Sequence, residues 1–382
     1  MKFAIMESII TPGGHEVDYD RILVEELQAL GHQVEFYVPE GHEFKWNYGA
    51  PINFLPGIGV SYANVKGLEK ILLSIKREIN RQKWYNRLYQ YTLEKRFDAL
   101  IFPSATYRYL RALQINSLVK SPLPVIFIVH GLTPKEAPRL FHQAEKALNN
   151  PNIKIAVQTF AEDSRINKPM PNVSYFYPPN YIPRDISYKK SESTPEVLKL
   201  GFFGQYRKEK KLDQFLDIFV TCNFTRPVKL LVQGATMTQA DAEDFEKIIK
   251  SYGTYSDLIE FMHRPLIGRE WQEAIASVDA MVMPYGAERY RYHTSAILST
   301  TLGFQKPVII ADNINPEVLK HFNIGKSFQV GNMEALKNAI EVFVNTFNDN
   351  FKDYQDNLSR AHAEYAPSKL AANIAKLAEK NR

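Results

Sequence analysis

Tyr290–Asp312 reads YRYHTSAILSTTLGFQKPVIIAD. Aromatics and cations open it, with Arg289 just ahead and Arg291 inside. His293, Thr294 and Ser295 follow, then an apolar run from Ala296, a Gly-Phe-Gln-Lys-Pro turn, and a strand of Val and Ile. A small hydroxyl residue ahead of an apolar helical run is a capping signal, and glycine with proline punctuates the far end. Immediately upstream, DAMVMPY (Asp279–Tyr285) is another short apolar run ending in a turn residue. Strand, helix and strand in that order predict a βαβ unit, and therefore a parallel sheet covered on both faces.

The same alternation extends in both directions. Upstream lie LKLGFFG, VKLLVQG and LIEFM, and downstream a strand near SFQV. The first half repeats the pattern with KFAIMES, HQVEFYVP, FDALIFPS, LPVIFIVHG and NIKIAVQT. Its first helix carries Tyr19, Ile22, Leu23, Leu27 and Leu30 on one face, with Gly31 placed as a C-terminal cap. Between the halves, PRDISYKKSESTPEV (residues 183–197) is polar, has two prolines and shows no apolar period, and so reads as a linker. The expected organisation is a domain over 1–182, a linker over 183–197, a domain over 198–350 and C-terminal helices over 351–382. The fold class is α/β with two Rossmann-like domains facing across a cleft, and the C-terminal helix packs back towards the N-terminal domain. At 382 residues the chain is long enough for two cores.

Composition narrows the setting. Hydrophobic residues make up 45% of the chain and there is one cysteine, Cys222, which excludes a disulfide framework and suits a reducing compartment. The start, MKFAIMESIITPGG, reads as a first strand, and no apolar segment approaches the ~18 residues that span a bilayer. The expected location is cytoplasmic, at the inner face of the plasma membrane. The net charge of +5 is concentrated: residues 66–96 hold nine basic and three acidic residues. Within them Leu68, Ile71, Leu72, Ile75 and Ile79 recur at helical spacing, giving an amphipathic helix with a basic face. That helix is either a solvated face beside core aromatics or a surface for anionic phospholipid or an anionic acceptor. No nucleic-acid recognition motif accompanies the charge.

In open parallel sheets ligands sit beyond the carboxyl ends of the strands, so the residues just after strands are the candidates. After the first strand come Gly13 and Gly14, which let a backbone approach a ligand, and then His15 and Glu16. No G-x-G-x-x-G or Walker spacing is present, which excludes the standard dinucleotide and P-loop readings. Asp18-Tyr19-Asp20 has the form of a D-x-D metal string. It falls in the first turn of a helix, where acids favour the dipole, and no metal site is expected. In the second half, GFFGQYRKEKKLDQFL (Gly201–Leu216) turns at Gly204 and brings Arg207, Lys210 and Lys211 before a helix. Thr294 and Ser295 open the helix of the first-quoted stretch, either as a plain cap or, with the free amides near Ala296, as one side of a diphosphate site.

These segments resemble the glycosyltransferases of GT-B architecture, most closely family 4. Gly201–Leu216 is similar to that family's G-R-x-x-x-x-K-G-x-x-x-L-L element, and Tyr290–Asp312 to its E-G-F-G-x-x-x-x-E-A-x-A-x-G-x-P-V-I element, or to a variant built around T-S-G-x-L. Weaker echoes are TPGGHEVDYDRILVEELQALGHQV, IFIVHG and VSYFYPPNYI. The resemblance implies transfer of a sugar from a nucleoside diphosphate sugar, a UDP- or GDP-sugar, to a hydroxyl of a glycan or lipid-linked glycan. It implies no other cofactor, with metal-independent stabilisation of the diphosphate. The family arginine falls at Gln205, with Arg207 two residues on, and the family lysine at Lys210. The two family glutamates fall at His293 and Thr300. His130 matches the family histidine beside the transferred sugar. Candidate catalytic groups are therefore His130, His15 and Asp18. The candidate donor set is Gly13, Gly14, Gly204, Arg207, Lys210, Lys211, Arg264, Glu288, Tyr292, His293, Thr294, Ser295 and Ala296. Two other outcomes share the architecture: a sugar-nucleotide epimerase, and a non-catalytic binder of nucleotide sugars or glycans.

Overall fold

The computed structural model describes residues 1–8, 15–42, 48–60, 67–184 and 186–379. The chain forms two compact units: residues 1–179 with 366–382, and residues 180–365.

Unit 1 contains β1 (Lys2–Met6), α1 (His15–Ala29), β2 (Gln33–Glu40), β3 (Ile52–Ile58), α2 (Gly67–Leu93), β4 (Ala99–Phe102), α3 (Tyr107–Leu113), β5 (Val125–His130), α4 (Ala137–Lys146), β6 (Ile153–Gln158) and β7 (Val173–Phe176). Unit 2 contains β8 (Leu198–Phe202), α5 (Leu212–Phe219), β9 (Val228–Gln233), α6 (Gln239–Ser251), β10 (Ile259–Met262), α7 (Arg269–Ala276), β11 (Ala280–Met283), α8 (Arg289–Tyr292), α9 (Ala296–Gly303), β12 (Val308–Ala311), α10 (Pro316–His321), β13 (Gly325–Phe328), α11 (Met333–Asn345) and α12 (Phe347–Glu364). The chain then returns to unit 1 as α13 (Pro367–Ala378), which packs against α1 and β5.

Both sheets are built from parallel pairs. The orders are β3-β2-β1-β4-β5-β6-β7 and β10-β9-β8-β11-β12-β13. Each reverses direction beside its first strand, so each has a switch point at its carboxyl edge, β1/β4 in one unit and β8/β11 in the other. Strands buried on both faces explain the continuous apolar runs: β4, β11 and β12 are buried along their whole length.

Residues 183–197 do not form a free linker. Tyr188 donates its hydroxyl proton to the Phe304 carbonyl at 2.7 Å, and its ring packs on Phe304 at 5.1 Å, so the segment lies on unit 2. The crossing points are Pro179/Asn180 and Tyr365/Ala366. The C-terminal helices are divided between the units, α12 staying with unit 2 and α13 joining unit 1. Two edge strands, β3 and β7, are additional to those read from the sequence; β3 (INFLPGI) is interrupted by proline and glycine, which an edge tolerates. Among the described residues no helix is long and apolar enough to cross a membrane.

Candidate functional site

The unit-2 site is assembled at the β8/β11 switch point. After β8 the chain turns at Gly204, whose φ of +110° is a conformation that side chains disfavour. A side chain there would also meet Ile297 Cδ1 at 3.3 Å and Lys210 Nζ at 3.5 Å. Gly204 is thus the point where the β8–α5 loop touches the first turn of α9. The two basic or polarised elements read from sequence are neighbours in the fold.

Gln233, at the end of β9 and 1% exposed, locks this edge. Its Oε1 accepts from the Gly204 amide at 2.9 Å, and its Nε2 donates to the Arg264 carbonyl at 2.6 Å. One buried amide so ties together the ends of β8, β9 and β10, and Tyr206 N–H adds a bond to Ala235 O at 2.8 Å.

Lys210 is the centre of the electrostatics. It is 6% exposed, with its ammonium 4.6 Å from the Tyr285 ring centre and 5.7 Å from that of Phe202. Among the described residues no carboxylate lies within ion-pair distance of it. Burial first, then the Arg207 charge, push its pKa down to about 7. Glu209 opposes that shift and Arg289 adds to it. Glu209 bridges the two arginines, 3.6 Å from Arg207 and 2.9 Å from Arg289. The result is three cations around one carboxylate, with the buried member partnered only by aromatic faces. A buried cation of this kind is costly until an anion arrives.

The second side is the start of α9. Ser295 is its cap: the hydroxyl accepts from Leu298 N–H at 3.3 Å, while its own N–H donates to Asn315 Oδ1 at 3.0 Å. Asn315 is fully buried at a φ of +40°, and also donates to the His293 carbonyl at 3.1 Å. It clamps the segment entering the helix, leaving the amides at Ala296 and Ile297 outside the helix's own bonding pattern. Thr294 Oγ1 is buried and has no hydrogen-bond partner among the described residues. At the far end of α9, a side chain on Gly303 would collide with the Tyr181 carbonyl at 2.0 Å, so glycine is required there by close backbone approach.

The other expected donor residues are placed as follows. Arg207 is half exposed and donates to Gln205 Oε1 at 3.1 Å. Lys211 holds a left-handed backbone (φ 50°) between a short 3-10 turn and α5, and is exposed. Arg264 is paired with Glu270 at 3.3 Å. Glu288 is exposed at the start of α8, Tyr292 is buried at its end, and His293 follows. Thr300, at the position of the second family glutamate, donates to the Ala296 carbonyl at 2.9 Å and is consumed by its own helix.

In unit 1, Gly13 and Gly14 lie outside the described residues, and His15 is described only by its backbone. His130 ends β5, with Nε2 2.7 Å from the Pro103 carbonyl. A carbonyl only accepts, so Nε2 carries the proton. Its ring meets Tyr19 edge-on at 4.5 Å, and the Tyr19 hydroxyl accepts from Gln158 at 2.7 Å. Asp18 is held by Arg21 at 3.1 Å. Asp20, two residues on, points elsewhere and is 2% exposed. Burial, then the charges of Glu7 and Glu16, hold its carboxyl well above the usual carboxylate range. Among the described residues no group of three His, Cys, Asp or Glu side chains is placed to hold a metal ion. Glu7, also 2% exposed, lies directly after β1, where the local sequence shows only the end of a strand.

No sequence-family model and no curated protein sequence matches the chain. Solved structures do. The chain is similar over 98% of its length to 98% of Anabaena HepE in complex with UDP and glucose, at 13% identity and a TM-score of 0.65. It is similar over 99% to 99% of the lipopolysaccharide outer core galactosyltransferase WaaB, at 14% identity and a TM-score of 0.61. It is similar over 98% to 98% of the catalytic domain of Arabidopsis thaliana starch synthase IV bound to ADP and acarbose, at 10% identity and a TM-score of 0.64. At these identities the likeness establishes the fold, the two-unit GT-B architecture.

Proposed function

We propose that the chain is a glycosyltransferase that moves a sugar from a UDP- or GDP-sugar to a hydroxyl of a glycan or lipid-linked glycan at the cytoplasmic membrane face. The observation that carries the reading is the buried Lys210 ammonium, without an acidic partner, beside Gly204 and the start of α9 at the switch point. The similar structures named with UDP or ADP support the nucleotide class.

In this reading the bond between the anomeric carbon and the diphosphate breaks, and its electrons pass to the phosphate oxygen. Lys210, Arg207, Arg289 and the α9 amides offset that charge as it grows, without a metal ion. The acceptor oxygen forms the new bond to the anomeric carbon, and its proton passes to the departing phosphate.

A second reading has support of its own. Thr300 is spent on the Ala296 carbonyl, so a binder of nucleotide sugars without turnover is the alternative. Thermal unfolding with UDP, UDP-glucose, GDP and GDP-mannose decides between them when sugar release is followed on the hits. Stabilisation with release of free sugar supports transfer, and stabilisation without consumption supports the binder. Conversion to an isomeric nucleotide sugar without acceptor makes it an epimerase. No stabilisation by any of the four overturns the nucleotide reading.

A further inference from the structure

We propose that the outward face of α2 is a docking surface for an anionic phospholipid membrane. A helix on a soluble protein normally turns its apolar stripe to the core. α2 does the reverse over its first half. Ile71, Leu72, Ile75 and Ile79 are 57%, 67%, 53% and 52% exposed. At 3.6 residues per turn they cover a stripe roughly 100° wide.

The fold does not need this stripe. α2 is held by its opposite side, where Trp84, Tyr85 and Leu88 are buried. Trp84 Nε1 donates to Pro56 O at 3.2 Å, Asn80 to Ile58 O at 2.8 Å, and the Tyr85 hydroxyl to Tyr109 O at 3.2 Å. The four residues are therefore apolar area left in water while the helix is already anchored, which singles out an interaction site. The neighbouring edge strand β3 adds exposed Phe54 and Ile58.

Charge selects the occupant. α2 carries six basic and two acidic residues. Lys76, Lys83 and Arg87 are exposed along one flank of the stripe, where long stems reach past apolar surface to a headgroup. Of the two acids, Glu78 is engaged by Arg81 at 2.7 Å and Arg77 at 3.8 Å. A second copy of this chain is the weaker occupant, because pairing the stripe with itself sets one basic flank against another. The helix is too polar to span a bilayer, so it lies in the interface plane. The inference does not depend on the catalytic reading above.

The experiment is co-flotation of the full chain with vesicles of phosphatidylglycerol and phosphatidylcholine, against phosphatidylcholine alone. The wild type floats with the anionic vesicles, weakly with neutral ones, and less as salt rises. The double variant Ile75→Asp/Ile79→Asp lowers the bound fraction at least about tenfold, as does the flank variant Lys76→Glu/Lys83→Glu. The four substituted positions are exposed, so unfolding midpoint and far-UV spectrum stay as in the wild type, and a folded flank variant alone suffices as the test. Failure of the wild type to float with anionic vesicles overturns the proposal. So does wild-type flotation of a folded variant, or a dimer in light scattering that the isoleucine variant dissolves. The UDP-induced thermal shift is measured on the same samples; it reports on donor binding and can be lost while flotation persists, or the reverse.

Discussion

At the carboxyl edge of the unit-2 sheet a buried ammonium, Lys210, is held among two arginines and two aromatic rings, while at the same edge of unit 1 a buried carboxyl, Asp20, is held near Glu7 and Glu16. Both units are parallel sheets with the same strand reversal. Their functional edges are nonetheless charged in opposite senses. Burial moves both groups towards neutrality, the lysine down and the acid up. At each edge burial favours the uncharged form of the group. A shared fold thus fixes where chemistry sits, and the side chains on the loops fix its sign.

The largest effect that would break this contrast is on turnover. Lys210→Met removes the buried charge, and loss of such a preorganised contact costs on the order of 10²–10³ in kcat. Steady-state assay on a donor identified by thermal shift checks it. The same variant should unfold at a higher temperature without nucleotide, because a desolvated cation has been replaced by an apolar group of similar length.

A pH series sharpens the contrast, since the two edges should give slopes of opposite sign. For Lys210 the folded pKa is about 7 against the ordinary 10.5, so between those values the unfolded chain binds more protons. Stability then rises with pH across that window, by up to ~1.4 kcal/mol per unit, and the slope is absent in Lys210→Met. Lys306, lowered to about 8, adds the same sign but is present in both proteins and cancels in the difference. For Asp20 the folded pKa lies above the ordinary 3.8. Its contribution is present at low pH and is lost as pH rises through the folded value, so Asp20→Asn gains on the wild type as pH increases. Urea titrations of the three proteins from acid to alkaline pH decide; slopes of equal sign would remove the contrast.

Smaller effects test the scaffold. Gly204→Ala forces a side chain into a φ of +110° beside Ile297 Cδ1, and should cost about 1–3 kcal/mol in denaturant unfolding. Smallest of all, Lys211→Ala should change the UDP dissociation constant by no more than about twofold, because an exposed ammonium is screened by solvent. A tenfold change in calorimetry would restore Lys211 to the diphosphate site.

The sequence made the alternation of strands and helices readable because each buried strand is a short apolar run with its own turn. It also made Gly204, Lys210 and Ser295 readable, since a turn, a cation and a cap are local signals. Gln233 and Asn315 were not readable. Each is a polar residue whose role comes from clamping two segments distant in sequence, and the nearest local sign was the Asn315-Pro316 pair opening α10. The Glu209 bridge depends on Arg289, which local reading places only on the rim of a helix start. In α2, periodicity gave the helix and its two faces but could not say which face met the core, because Trp84, Tyr85 and Leu88 further along the same helix took that place.

The return of α13 to unit 1 has a consequence for how the protein is made. Leu370 and Ile374 on α13 are buried, and the helix packs against α1 and β5, elements that leave the ribosome hundreds of residues earlier. Unit 2 is a continuous stretch and can close during synthesis. Unit 1 is therefore completed only after unit 2 has been made, and its apolar seam stays open to chaperones until α13 has been synthesised.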